Sequence, residues 1–204
     1  MTDAAGGPGA AAPGAASISA LMEEATSAAL PVLRGVRDEQ LGQRTPCTDY
    51  DLRALLNHLF QVVVAFQDPD GTKQVDPDHT PDRLGEYGGQ WPDRFAEEAA
   101  RLAGTWAAPG VEGARTGAMG LPGRTVGGMA LLDLTLHAWD AARASGQDYA
   151  PPERCVTELR ALVAELAPTA RKMSVLGGPV DVPAGAPPFD KLLAESGRDP
   201  RWPA

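Results

Sequence analysis

The sequence predicts an all-α protein, folded as an antiparallel helix bundle. Apolar residues recur at helical spacing in several segments, whereas no stretch of useful length alternates between apolar and polar residues as a strand does. The sequence contains no internal repeat. Helices that each bury one apolar face are packed most economically as a bundle, and 204 residues suit one domain with a sizeable core.

One long segment, residues 126–145, organises this prediction. It contains no proline, it is followed by Gly146, and nearly all of its surface is apolar, which indicates a buried helix. Asp133 and His137 lie inside it, four residues apart and therefore one turn apart on the same face. A carboxylate in a packed core is costly unless something compensates its charge. A metal ion would compensate both side chains at once.

The first helix is expected to be capped by Ser17 or Ser19, and Pro31 is expected to kink it or to end it early. The second is predicted from about Asp51 to Phe66, with His58 at the edge of its apolar stripe. Further helices are predicted to start near Pro92, to span 153–167 and to span about 190–195, and long loops are predicted over 67–90 and 109–124.

Composition excludes several classes of function. Residues 1–16 lack the basic start and continuous apolar segment of a signal peptide and are expected to be a disordered tail before a domain of residues 17–204. No apolar run reaches 18 residues, so we expect no membrane span and a cytoplasmic protein. The net charge of −9, without a basic cluster, argues against nucleic-acid binding. Cys47 and Cys155 are too few for a disulfide framework.

Two imidazoles and a carboxylate, from His58, His137 and Asp133, would form a metal site of the catalytic type. Three protein ligands leave at least one position open for water or substrate, and the same set suits non-haem iron(II) or another divalent ion. The alternative is that His137 is a core histidine bonded to Thr135, Asp133 or a backbone carbonyl, and that His58 is also structural. His79 is expected to be a solvated loop residue.

Residues near these candidates have simpler interpretations. Asp140 and Trp139 are candidates either for supporting the metal ligands or for packing. Because Asp140 is expected to lie off the His137 row of the helix, an ion pair with Arg143 or Arg53 is the plainer interpretation. Asn57 is expected to hydrogen-bond a backbone group. Cys47 is interpreted as a buried structural cysteine, with a thiol near the site as the alternative.

Three segments together resemble the landmarks of one actinobacterial family, the metal-binding family related to the N-terminal domain of mycothiol-dependent maleylpyruvate isomerase, within the DinB-like superfamily. They are TPCTDYDLR at 45–53 with LNHL at 56–59, DLTLHAWD at 133–140, and GRDPRW at 197–202. The resemblance implies a DinB-like antiparallel four-helix bundle with an extra C-terminal helix and a loop-rich tail. It also implies a metal site formed by His58, Asp133 and His137.

The chain departs from the isomerase in two respects. The carboxylate ligand of that enzyme is a glutamate, whereas Asp133 is one methylene shorter. The chain is also too short for the separate C-terminal domain of that enzyme, so isomerisation of maleylpyruvate itself is not expected.

Two functions follow from this resemblance. The first is a metal-dependent transferase or isomerase, with Zn²⁺ as the expected ion and Fe²⁺ or Ni²⁺ as alternatives, in which a small thiol such as mycothiol is activated to attack a small electrophilic substrate. The second is a metal-binding or small-ligand-binding module without turnover. Either would act as a monomer or homodimer, without a nucleic-acid or membrane partner.

Overall fold

The computed structural model of the chain describes residues 16–69, 79–116 and 120–203. The predicted all-α class is confirmed. The α-helices in this part of the chain are α1 (Ile18–Gly35), α2 (Leu52–Ala65), α3 (Arg83–Tyr87), α4 (Trp91–Trp106), α5 (Gly123–Ser145), α6 (Glu153–Lys172) and α7 (Pro188–Glu195). Two short 3₁₀-helices occupy Asp38–Gln40 and Gly88–Gln90, and a small antiparallel hairpin pairs β1 (Arg115–Thr116) with β2 (Leu121–Pro122).

The bundle is a ring of four helices in which α1 and α2 each contact both α4 and α5. Helix α6 packs on the outside of α5, and α7 packs on α6. Helix α5 is therefore covered by α1 and α2 on one side and by α6 on another, which explains its nearly continuous apolar sequence. The predicted buried helix is confirmed, with its first turn starting at Gly123.

Small residues let α5 lie close to its neighbours. A β-carbon built on Gly127 would lie 2.7 Å from Cγ2 of Ile18 and 2.9 Å from Cε3 of Trp106, closer than carbon atoms approach without a shift. At the other end, Gly146 has φ 70°, the left-handed conformation that often follows a helix. The position of α5, and of the polar residues on it, is thus set by close packing against α1 and α4.

The predicted end of α6 at residue 167 is wrong, and of the two outcomes expected at Pro31, a kink or an early end, the early end is excluded. Helix α1 continues past Pro31 to Gly35, and α6 continues past Pro168 to Lys172. A proline inside a helix removes one backbone hydrogen bond. Both prolines lie at exposed positions, where water can satisfy the freed carbonyl, and the buried pair Val32 and Leu33 anchors the last turn of α1 in the core.

The short helix α3 and the β1–β2 hairpin were not predicted. The predicted loop over 67–90 contains α3, and the predicted connection over 109–124 contains the β1–β2 hairpin. Elements of two to five residues are too short for a periodic apolar pattern. The rest of those loops, 70–78 and 117–119, lies outside the described residues, as does the predicted disordered tail apart from Ala16. Among the described helices, none is long and apolar enough to cross a bilayer.

Candidate metal centre

The two histidines predicted as ligands meet between α2 and α5. The ring of His58 faces the ring of His137 edge-on, with centroids 5.2 Å apart and planes at 89°. The N-terminus of α2 is fixed because the Asp51 carboxylate accepts a hydrogen bond from the backbone N–H of Ala54. Tyr50, directly before that cap, stacks on the ring of His58, with centroids 5.0 Å apart and planes at 20°. His58 is therefore held between an aromatic ring and the opposing histidine.

Asp133 lies beside the same pair. Its Oδ1 is 3.7 Å from Nε2 of His137, beyond hydrogen-bond distance. The Asp133 side chain is 36% exposed, whereas that of His137 is 7% exposed. The structure thus brings the three predicted residues together, with the open side of the group at Asp133.

The other ring nitrogen of His137 has a different partner from the ones predicted. Nδ1 of His137 lies 2.9 Å from Oδ2 of Asp140, which is completely buried. Thr135, one of the partners considered, instead donates its hydroxyl to the carbonyl of Leu131. Residues three apart on a helix are neighbours, so the expectation that Asp140 lies off the His137 row is wrong.

The expected ion pairs of Asp140 are also wrong. Its carboxylate pairs with Arg198, from the segment after α7, through Nε at 2.9 Å from Oδ1 and Nη2 at 2.7 Å from Oδ2. Arg143 donates instead to the carbonyl of Trp202, and Arg53 pairs with Asp82. Both of Asp140's oxygens are consequently engaged by hydrogen-bond donors.

Burial and neighbouring charges set the protonation states at the site. Burial lowers the pKa of His58, and the neighbouring His137 lowers it further, while Asp133 opposes both effects. Burial alone would raise the pKa of Asp140, but the charge of Arg198 and the hydrogen bonds from His137 and Arg198 hold that pKa below its usual value. His58 is therefore a neutral imidazole, and Asp140 a carboxylate, at neutral pH.

Cys47 is the thiol near the site. Its Sγ and the ligand atoms of His137 and Asp140 lie within 4.8 Å of one another, which makes these three the one such compact group among residues 16–69, 79–116 and 120–203. The ligand atoms of the predicted group, His58, Asp133 and His137, do not all lie within that distance of one another. Burial, followed by the charge of Asp140, raises the pKa of Cys47 to about 11. Cys47 is half-buried and lies beside His137 and Asp140, so the structure favours the second of the two interpretations, a thiol near the site.

The remaining predictions near the site are met. The side-chain oxygen of Asn57 accepts the backbone N–H of Leu84, and its amide donates to Asp82, so Asn57 attaches α3 to α2 one residue before His58. His79 is exposed, as expected of a loop residue. Cys155 is buried and free, and its thiol donates to the carbonyl of Leu21.

Comparison with known proteins assigns the chain to a family. Residues 22–142 match the family described as the mycothiol maleylpyruvate isomerase N-terminal domain. The chain belongs to this family. Uncharacterised proteins from two strains of Mycobacterium tuberculosis are each 31% identical to it over 187 residues, covering 88% of this chain and 96% of theirs. No solved structure matches the chain.

The family match contains His58, Asp133, His137 and Asp140 but ends long before Arg198. Sequence reasoning missed Tyr50 and Arg198 as neighbours of the site. Both lie in the segments that carry the family resemblance, TPCTDYDLR and GRDPRW, so the signal was present, but their partners are distant in sequence.

Proposed function

We propose that the protein binds one divalent metal ion, Zn²⁺ in the first place and Fe²⁺ or Ni²⁺ as alternatives, through His58, Asp133 and His137. We propose further that it uses the ion to activate a small thiol, mycothiol or a thiol like it, for attack on a small electrophile. The reaction is an S-transfer or an addition–elimination isomerisation. A reduced thiol partner and two free cysteines fit a cytoplasmic location.

One observation carries the metal site, the 3.7 Å gap between Nε2 of His137 and Oδ1 of Asp133. An ionised Asp140 can only accept, so in a neutral His137 the proton belongs on Nδ1, 2.9 Å from Oδ2 of Asp140, and Nε2 presents a lone pair. Asp133 likewise presents only lone pairs when ionised. Two acceptors that face each other gain from a cation between them. The neutral ring of His58, with its centroid 5.2 Å from that of His137, is near enough to supply a third lone pair once its ring turns towards the ion.

The compact group of Cys47, His137 and Asp140 fits a cation less well. Arg198 already donates to both oxygens of Asp140 and neutralises its charge. A metal ion bound there would lie beside the guanidinium and be repelled by it. A carboxylate hydrogen-bonded to the far nitrogen of a ligating histidine is instead the usual supporting partner of a metal site.

The thiol in the proposed reaction comes from outside the protein. With a pKa near 11, Cys47 stays protonated at neutral pH, and a protonated thiol is a poor nucleophile. A bound divalent ion lowers the pKa of a thiol that coordinates it. The 36% exposure of the Asp133 side chain leaves room for that thiol to enter, while the ring of Tyr50 covers part of His58.

Cobalt(II) provides the test, because a thiolate bound to cobalt gives a charge-transfer absorption band. We expect the cobalt-loaded protein to develop this band on titration with mycothiol. The band should also appear in Cys47→Ser, which shows that the sulfur is not the protein's own, and it should be absent in His137→Ala. The same protein, loaded with zinc, is then incubated with mycothiol and a panel of electrophiles. Absence of the band in the wild type would contradict the thiol role.

A non-catalytic metal-binding or ligand-binding module is the second candidate. It is favoured by one feature of the site, the engagement of Asp140 by Arg198, which leaves that carboxylate unable to act as a general base. In the cobalt experiment this candidate predicts a band with mycothiol and no product with any electrophile. Formation of a thioether or isomerised product would exclude it.

A further inference from the structure

The ion pair between Asp140 and Arg198 is buried to an unusual degree. The side chain of Arg198 is 10% exposed and that of Asp140 is 0% exposed. Removing two charges from water costs several kcal/mol per ion, at order of magnitude, and their attraction often does no more than offset that cost. Fold stability is therefore a weak explanation for the pair, and its contact with a ligand candidate, through Oδ2 of Asp140 and Nδ1 of His137, is a stronger one.

The backbone around Arg198 is held firmly. Gly197 has φ 90°, and a β-carbon there would lie 2.7 Å from the Cα of Gly177, so only glycine fits the turn. The backbone N–H of Arg198 donates to the carbonyl of Leu193 at 2.8 Å, which ties the residue to the end of α7. The backbone from which the Arg198 side chain reaches Asp140 is therefore held in one position relative to α7.

We propose that Arg198 is a positioning residue for the metal centre. By donating hydrogen bonds to both oxygens of Asp140, it orients the carboxylate towards Nδ1 of His137. The proton of the neutral imidazole then stays on Nδ1, and the unprotonated Nε2 presents its lone pair towards Asp133. The choice of tautomer is a property of the metal-free protein. Its purpose, to prepare a metal ligand, rests on the proposed function.

The roles of the two partners can be separated by chemistry. In Asp140→Asn, the single amide oxygen accepts the hydrogen bonds from Arg198. The amide NH₂ group then points towards Nδ1 of His137. Nδ1 must then accept, so the proton moves to Nε2. In the double variant Asp140→Asn/Arg198→Met, the guanidinium that donated to the amide oxygen is gone. The amide can rotate, its oxygen can accept from Nδ1–H, and the original tautomer returns.

The tautomer of His137 is read directly by two-bond ¹H–¹⁵N correlation NMR of the metal-free protein, at a pH well above the ordinary histidine pKa of about 6.5. We expect Nδ1–H in the wild type, Nε2–H in Asp140→Asn, and Nδ1–H again in the double variant. Arg143→Met is the matched control, because this arginine touches the same C-terminal segment only through the Trp202 carbonyl. It should leave the tautomer unchanged.

Metal affinity gives a second readout. We expect Asp140→Asn to weaken zinc binding by about 10- to 100-fold and the double variant to recover most of that loss. A proton on Nε2 in the wild type, or a double variant that behaves like Asp140→Asn, would overturn the proposal. If Asp140→Asn fails to fold, the wild-type spectrum can still overturn the proposal, by showing the proton on Nε2. If the tautomers follow the prediction but no protein binds metal, the proposed function fails while the role of Arg198 stands.

Discussion

The imidazole of His58 stacks on the phenol ring of Tyr50 and lies perpendicular to the ring of His137, at centroid distances of 5.0 Å and 5.2 Å. The stack restricts the orientation of His58, and preorganised ligands bind metal more tightly because less freedom is lost on binding. Tyr50 contributes its aromatic ring to this stack.

We therefore expect Tyr50→Ala to weaken zinc binding by about 10-fold, at the lower end of what loss of a supporting residue costs. Tyr50→Phe keeps the ring and should bind zinc as the wild type does. Competition titration with a chromophoric chelator measures both affinities. Equal affinities for the alanine and phenylalanine variants would show that the stack does not orient His58.

Metal binding should weaken in acid, because protons compete with the metal for its ligands. Burial lowers the pKa of His58 from its ordinary 6.5, so protons compete with the metal at this ligand only at a pH below 6.5. We expect the zinc affinity, measured by the same competition titration, to fall as the pH drops through that range. A zinc affinity that is independent of pH throughout the acid range would contradict coordination by His58.

The metal-free protein should show the matching change in stability. The unfolded chain binds the His58 proton more tightly than the folded one, because the folded pKa is the lower of the two. The free energy of unfolding should accordingly fall as the pH drops below 6.5 and level off below the folded pKa. Urea titrations along this pH range measure it, and His58→Gln should lose this part of the pH dependence while keeping the rest.

Gly127 and Gly104 form a matched pair for testing how α5 packs. A methyl group on Gly127 would meet Ile18 at 2.7 Å and Trp106 at 2.9 Å, whereas Gly104, exposed on α4, has nothing within 4 Å. We expect Gly127→Ala to lower the free energy of unfolding by roughly 1–3 kcal/mol through overpacking. Gly104→Ala should raise it by roughly 0.5–1 kcal/mol, since alanine is the better helix former.

Urea unfolding of both variants checks this prediction. A stabilised Gly127→Ala would mean that α5 lies farther from α1 and α4 than described. Because His137 and Asp133 project from α5, the overpacked variant should also bind zinc more weakly, while Gly104→Ala should bind it as the wild type does.

The bundle could be predicted because its helices are long enough for an apolar stripe to repeat several times, as in α2, α4 and α5. The pairing of Asp133 with His137 followed from helical spacing alone. The continuation of α1 past Pro31 was not foreseen because packing of Val32 and Leu33 in the core outweighs one lost hydrogen bond. Propensity describes the local chain and does not include that packing.

The surroundings of the site were harder to predict than its members. Asp140 and Arg198 are 58 residues apart in sequence, and only the docking of the segment after α7 brings them together. Tyr50 precedes α2, and nothing in its spacing indicates that its ring stacks on His58. Residue pairs of this kind depend on how separate elements pack, so they become visible only in the folded chain.

The metal content of the protein, purified without an affinity tag and dialysed against zinc, tests the central claim most directly. The variants are His137→Ala, Asp133→Asn and, as the control, His79→Ala, which removes an exposed loop histidine away from the site. We expect close to one equivalent of zinc in the wild type and in His79→Ala, and its loss in the other two. A wild type without metal, or variants of His137 and Asp133 that retain a full equivalent, would contradict the account.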